Sequence, residues 1–146
     1  DFTVHELRDL LATQFRRDEN ENKLTISLLT FGYKFGIPFE SDLLFDARFL
    51  KNPYFVPDLK PLSGEDPRVR SFVLADPNAV ALIERLEGLL QFLIPLFERE
   101  PRSYLTIAIG CTGGRHRSVA VAARLQESLA AIGYNVALKH RDIHKS

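Results

Sequence analysis

At 146 residues, 45% hydrophobic and 26% charged, the chain has the length and composition of one globular domain with a substantial core, which excludes a disordered segment. Nineteen basic residues balance nineteen acidic ones, so the domain-wide basicity of a dedicated nucleic-acid binder is absent. A single cysteine excludes an internal disulfide framework and predicts a reducing, cytoplasmic setting, and the longest apolar run, Leu89 to Phe97, is too short to span a bilayer.

The start, Asp1-Phe2-Thr3-Val4, has neither an initiator Met nor the basic and apolar regions of a signal peptide, and reads as a piece of a longer chain or a processed one. Charge is unevenly spread. From Pro101 to Ser146, seven Lys and Arg face only Glu127 and Asp142, a surplus that suits an anionic ligand or partner.

Thr3-Val4-His5-Glu6 is a capping box, and Leu7, Leu10, Leu11 and Phe15 follow at helical spacing, so a first helix is predicted to end near Phe15. The charged stretch to Asn22 reads as a solvated connection and not a metal site, because nothing makes its carboxylates converge; no metal is expected. An α/β core over 23–141 and a tail at 142–146 follow. Lys23 to Phe31 alternates as a strand does and ends in Gly32-Tyr33-Lys34-Phe35-Gly36-Ile37-Pro38, a turn carrying the loop cation Lys34. Leu43 to Leu50 is predicted as a second strand, with Asp46 and Arg48 on one side and Phe45, Ala47 and Phe49 on the other. Pro53, Pro57 and Pro61 make Asn52–Gly64 a long irregular stretch of the kind that tends to be functional.

Asp66-Pro67 and Asp76-Pro77 each pair an N-cap with a proline at the first helical position. The first opens a short helix to about Leu74. The second opens a long one with the stripe Ala79, Leu82, Ile83, Leu86, Leu90, Leu93 and Phe97, which Pro95 is expected to kink or end. Tyr104 to Gly110 is nearly continuous in apolar residues, as expected of a strand covered on both faces. Ser118 to Ile132 has helical spacing closed by Gly133, and Asn135 to Leu138 is a last strand. Strand, helix and strand in succession predict a single α/β domain with a mainly parallel sheet flanked by helices.

Between the Tyr104 strand and that helix stands Cys111-Thr112-Gly113-Gly114-Arg115-His116-Arg117-Ser118. Glycines let backbone N–H groups approach an anion, a helix N-terminus adds partial positive charge, and Arg117 offers a two-pronged grip on oxygens. The stretch therefore reads as a phosphate-binding loop. It lies where parallel sheets bind ligands, at a strand's carboxyl end. It also satisfies Cys-x-x-Gly-x-x-Arg-Ser, the phosphate loop of cysteine phosphatases. In that alternative Cys111 is the nucleophile, Arg117 holds the phosphoryl group and Asp58 supplies the acid, although Gly110 stands where a His usually precedes the nucleophile. Gly-x-x-x-x-Gly-Lys-Ser/Thr is absent, so no nucleotide P-loop is present in this sequence.

Four blocks together resemble the RapZ/YvcJ family of bacterial proteins: Phe31–Pro38, Phe45–Pro53, Arg102–Gly114 and Arg115–Val119, in order within a similarity that runs from about Val4 to Arg141. The resemblance implies the C-terminal domain of such a protein. The nucleotide cofactor then belongs to an N-terminal Walker-type domain absent here, and no cofactor belongs to this one. It implies a non-catalytic regulatory domain that binds glucosamine-6-phosphate and a small regulatory RNA, serves as adapter for an endoribonuclease, and forms homo-oligomers. Carried over by position, Cys111, Thr112, Gly113, Gly114, His116, Arg117 and Ser118 form the phosphate cradle. Asp46 and Arg48 read the sugar end, with Lys34, Asn52 and Tyr104 nearby. The RNA contacts fall to Arg115, Lys139, Arg141 and Lys145. The sequence departs from the family where RNA-binding members are basic, with Ala130, Ile132 and Tyr134, and carries Tyr54 where a His is usual.

Overall fold

The computed structural model describes residues 24–145; the helix predicted near Thr3–Phe15, the connection after it and Ser146 lie outside the described residues. Four strands, β1 (Thr25–Gly32), β2 (Leu43–Asp46), β3 (Tyr104–Cys111) and β4 (Val136–His140), form one sheet in the order β2-β3-β1-β4. Every pairing is parallel, and the register sets Gly32 beside Cys111 and Asp46 beside Gly110. Among the described residues there are three α-helices: α1 (Pro67–Leu74), α2 (Pro77–Glu98) and α3 (Arg117–Ala131).

Each boundary has a local cause. Asp66 and Asp76 accept the N–H groups of Arg68 and Asn78 ahead of a proline, which starts α1 and α2. At the end of α3, Gly133 (φ 103°) donates to the Ala130 carbonyl and Tyr134 to that of Leu129, a paired closure that satisfies two terminal carbonyls. Tyr134 packs its ring against the core.

The inner strands β1 and β3 are nearly continuous in buried residues because both of their faces are covered. Leu28, Leu105, Ile107 and Ile109 meet Leu90, Ile94, Leu125 and Leu129 from the helices, all fully buried. α3 lies against β1, β3 and β4 and also touches α1 and α2. Replacing Leu90 by Ala should cost about 2–5 kcal/mol, read as a fall in the denaturant midpoint.

The structure corrects three boundaries. β2 ends at Asp46: the Ala47 N–H makes the last ladder bond, to the Gly110 carbonyl (2.7 Å), and the Leu50 N–H then closes a turn back to the Ala47 carbonyl. Arg48 therefore reaches Asp46 around a turn, and Phe49 is 60% exposed instead of sharing a face with buried Ala47. Helix α2 passes through Pro95 to Glu98, since a proline in the last turn removes only one late hydrogen bond. Ile94 takes the core position there, while Leu82, Leu93 and Phe97 are half-buried. Strand β4 runs two residues beyond Leu138, as Thr30 pairs with His140. Among the described residues no helix is long and apolar enough to cross a membrane.

Candidate functional site

The carboxyl ends of β1, β2 and β3 meet where the glycine loop leaves Cys111 for α3. The loop is held by its carbonyls. Lys34 N–H donates to the Thr112 oxygen (3.2 Å) and Gly64 N–H to that of Arg115 (2.7 Å). Behind it, backbone lies on backbone. A Cβ on Gly32 would stand 2.4 Å from the Gly113 carbonyl carbon, and one on Gly114, at φ +75°, 2.5 Å from the Gly32 nitrogen. Only glycine fits both places. Among the described residues, no protein acceptor pairs with the N–H groups of Gly113 to Ser118, and His116 at the N-cap of α3 makes no side-chain cap. Unsatisfied donors at a helix N-terminus are a site for an anion.

Arg117 is the first residue of α3 and only 4% exposed. Its Nη1 donates to the Arg48 and Leu50 carbonyls, and Nη2 to Thr112 Oγ1 (3.2 Å). Its Nε is buried without a partner. A guanidinium stays charged, so this group presents permanent positive charge with one donor of its two-pronged edge unused. Neutral carbonyls and a hydroxyl hold it, and none of them cancels that charge.

Beside the loop opens a cavity of about 1070 Å³. Among the described residues its wall carries six cations, Lys34, Arg48, Lys60, Arg115, Arg117 and Lys145, together with Asn52, Cys111, Thr112, Gly113 and His116, and no carboxylate. Tyr54 and Phe55 supply an aromatic side, with Lys60 Nζ 4.3 Å from the Tyr54 ring centre. His116 Nε2 donates to the Lys60 carbonyl (3.1 Å). Burial holds the imidazole below its ordinary pKa, with Arg115 and Arg117 pushing the same way, so His116 is a neutral polar group at pH 7 and does not add charge.

The structure thus gathers Lys34, Arg48, Asn52, Cys111, Thr112, Gly113, His116 and Arg117 around one cavity, with Gly114 and Ser118 in the frame behind. Ser118 is fully buried, its Oγ 3.2 Å from Cys111 Sγ. Asp46 is off the wall. Arg48 grips its carboxylate through Nε (3.0 Å) and Nη2 (2.6 Å), and that hydrogen bonding holds its carboxyl below the usual range. Tyr104 is a correction: it opens β3, at the far end from Cys111, and is 70% exposed. The cations assigned to RNA divide. Arg115 and Lys145 line the cavity, Arg141 donates to the Gly36 carbonyl and pairs with Asp142, and Lys139 is exposed on β4. Ala130 and Ile132 are exposed at the end of α3.

Lys60 and Phe55 were not singled out as ligand residues, and no spacing marks them; only the proline-rich loop that carries them was legible. Two features weigh against the phosphatase alternative. The Phe31 ring fills the space a side chain at 110 would need, its Cζ 2.4 Å from a Cβ there. Exposed Asp58 is not on the wall, so it does not face a leaving group there.

A family model described as the RapZ C-terminal domain matches residues 24–144. Among curated relatives, a nucleotide-binding protein of Geobacter metallireducens is 50% identical over 145 residues, covering 99% of this chain and 51% of that protein. One of Anaeromyxobacter sp. strain K is 55% identical over 142 residues (97% and 48%), and one of Solibacter usitatus 45% over 145 (99% and 45%). The chain spans about half the length of these relatives. Because the matched span takes in the four strands and three helices described above and every cavity-lining residue but Lys145, the chain belongs to the RapZ C-terminal domain family.

Proposed function

We propose that this domain is a regulatory module that binds a phosphorylated amino sugar of the glucosamine-6-phosphate type without turning it over. One observation carries the reading: among the described residues, a buried Arg117 with an unpartnered Nε stands beside loop N–H groups without an acceptor, in a cavity walled by cations and no carboxylate. A phosphate dianion supplies the acceptors and the charge that this wall lacks. The sugar then lies toward Asn52, Tyr54 and Phe55. Asp46 contributes by fixing Arg48 and not by touching the amine.

Attraction falls on the phosphate, and the cations disfavour a protonated amine close to them. Titration calorimetry of the chain with glucosamine-6-phosphate, inorganic phosphate and glucosamine tests this. Heat is expected with both phosphates, more with the sugar phosphate, and little with glucosamine. No heat with either phosphate sinks the reading, and release of inorganic phosphate would return the argument to Cys111 as a nucleophile. An RNA-binding role has less support, since three of the four cations assigned to it are turned into the cavity or tied down.

A further inference from the structure

Beyond β4 the chain folds back as a strap over the rear of the glycine loop. Asp142 is fully buried within it. Its Oδ2 accepts the Gly32 N–H (2.8 Å) and Arg141 Nη2 (2.8 Å), and its Oδ1 accepts Lys145 Nζ (2.8 Å). Burial alone would raise this carboxyl, but hydrogen bonds from Arg141, Gly32 and Lys145 outweigh it and bring the pKa down to about 2. The strap is pinned at two further points: Arg115 Nε donates to the Ile143 carbonyl (3.1 Å) and Arg141 Nη2 to that of Gly36.

Two connections run from Asp142 to the site. Gly32, whose N–H it accepts, is the residue locked against Gly113 and Gly114, and a Cβ on Gly114 would lie 3.1 Å from the Cβ of Asp142 itself. On the other side it holds Lys145, which lines the cavity with its Nζ 5.2 Å from the Phe35 ring centre. Two cations share one carboxylate, so the cluster keeps a net positive charge, and of the two Lys145 is the one on the cavity wall. Lys145 is 49% exposed, which leaves its remaining donors free.

We propose that Lys145 is a ligand-contacting cation of the anion site and that Asp142 is its positioning residue, holding the ammonium at the cavity wall while bracing the glycine loop through Gly32. This rests on the phosphate reading above. It takes Lys145 from the RNA contacts and gives it to the small ligand. It also gives a buried carboxylate a part in a site whose wall has none.

The test is a double-substitution cycle on the whole chain, titrated with inorganic phosphate at low and moderate salt. Lys145→Gln should weaken binding about tenfold, the loss of one charged hydrogen bond, and flatten the salt dependence, with the melting temperature almost unchanged. Asp142→Asn, which keeps the shape and an acceptor for Gly32, should weaken binding at least as much. The double variant should be no more than about twofold weaker than Asp142→Asn alone, because both act through the same ammonium. Losses that multiply reduce Asp142 to a merely structural role and overturn the proposal. So does unchanged affinity in Lys145→Gln, a result that stands even if Asp142→Asn does not fold. No phosphate binding by the unaltered chain overturns both this and the phosphate reading, whereas binding with an additive cycle overturns this alone.

Discussion

Replacing Arg117 by Ala should lower affinity for a sugar phosphate by about tenfold to a hundredfold while costing the fold only about 1–2 kcal/mol. The binding loss follows from the one free donor, Nε, since a charged hydrogen bond contributes about 1.5–3 kcal/mol. Stability moves less because two opposing effects meet. The carbonyls of Arg48 and Leu50 and the Thr112 hydroxyl lose their donor. Against this, a buried cation is removed, and its desolvation cost goes with it. Arg117→Lys should not restore binding, because an ammonium keeps the charge but cannot span two oxygens in one plane. Calorimetry for affinity and denaturant midpoints for stability separate the two. An unchanged dissociation constant in Arg117→Ala would remove the residue from the site.

A second large effect is expected one step earlier in the loop. Gly114→Ala places a Cβ 2.5 Å from the Gly32 nitrogen and 2.7 Å from the Phe31 carbonyl carbon, at φ +75°. Neither atom belongs to a side chain that could swing away. Left-handed backbone costs a non-glycine residue about 1–2 kcal/mol, and displacing β1 from the loop adds overpacking of about 1–3 kcal/mol. The sum is a large share of the stability of a small domain, so the melting temperature should fall by about 10 °C or more. Gly113→Ala is the control: nothing lies within 4 Å of a Cβ there, and its φ is ordinary. That variant should melt with the native chain and yet bind phosphate more weakly, because its methyl group stands at the cavity wall. Equal melting of both variants would show that the loop does not depend on the interlock with Gly32.

What the sequence made legible here was local. The glycine loop could be read because a strand, a turn and a helix start follow one another within a few residues, each with its own chemistry. Asp46 and Arg48 were correctly placed side by side, but by strand alternation, whereas a turn closed by Ala47 and Leu50 brings them together. Tyr104 was carried over by resemblance, which does not tell one end of a strand from the other. Asp142 left no trace at all. Its partner Gly32 lies 110 positions away in sequence, and no spacing rule relates a tail carboxylate to the N–H of a distant glycine. Lys60 and Phe55 became site residues only once the irregular stretch after Asn52 was folded against His116.

The all-parallel order of the sheet has a consequence for how the chain is made. Strand β1 takes both its neighbours, β3 and β4, from the far side of the sequence, with Thr25 waiting for Tyr104 and Ile26 for Val136. During synthesis at about 5–20 residues per second, the roughly eighty residues between Thr25 and Tyr104 take several seconds to emerge. For that time an apolar strand has neither edge occupied, and the pairing it waits for is non-local and slow to form. The loop and its cavity, drawn from the ends of β1 and β3 and from the segment after β4, therefore take shape only once both of those late strands have emerged and paired with β1.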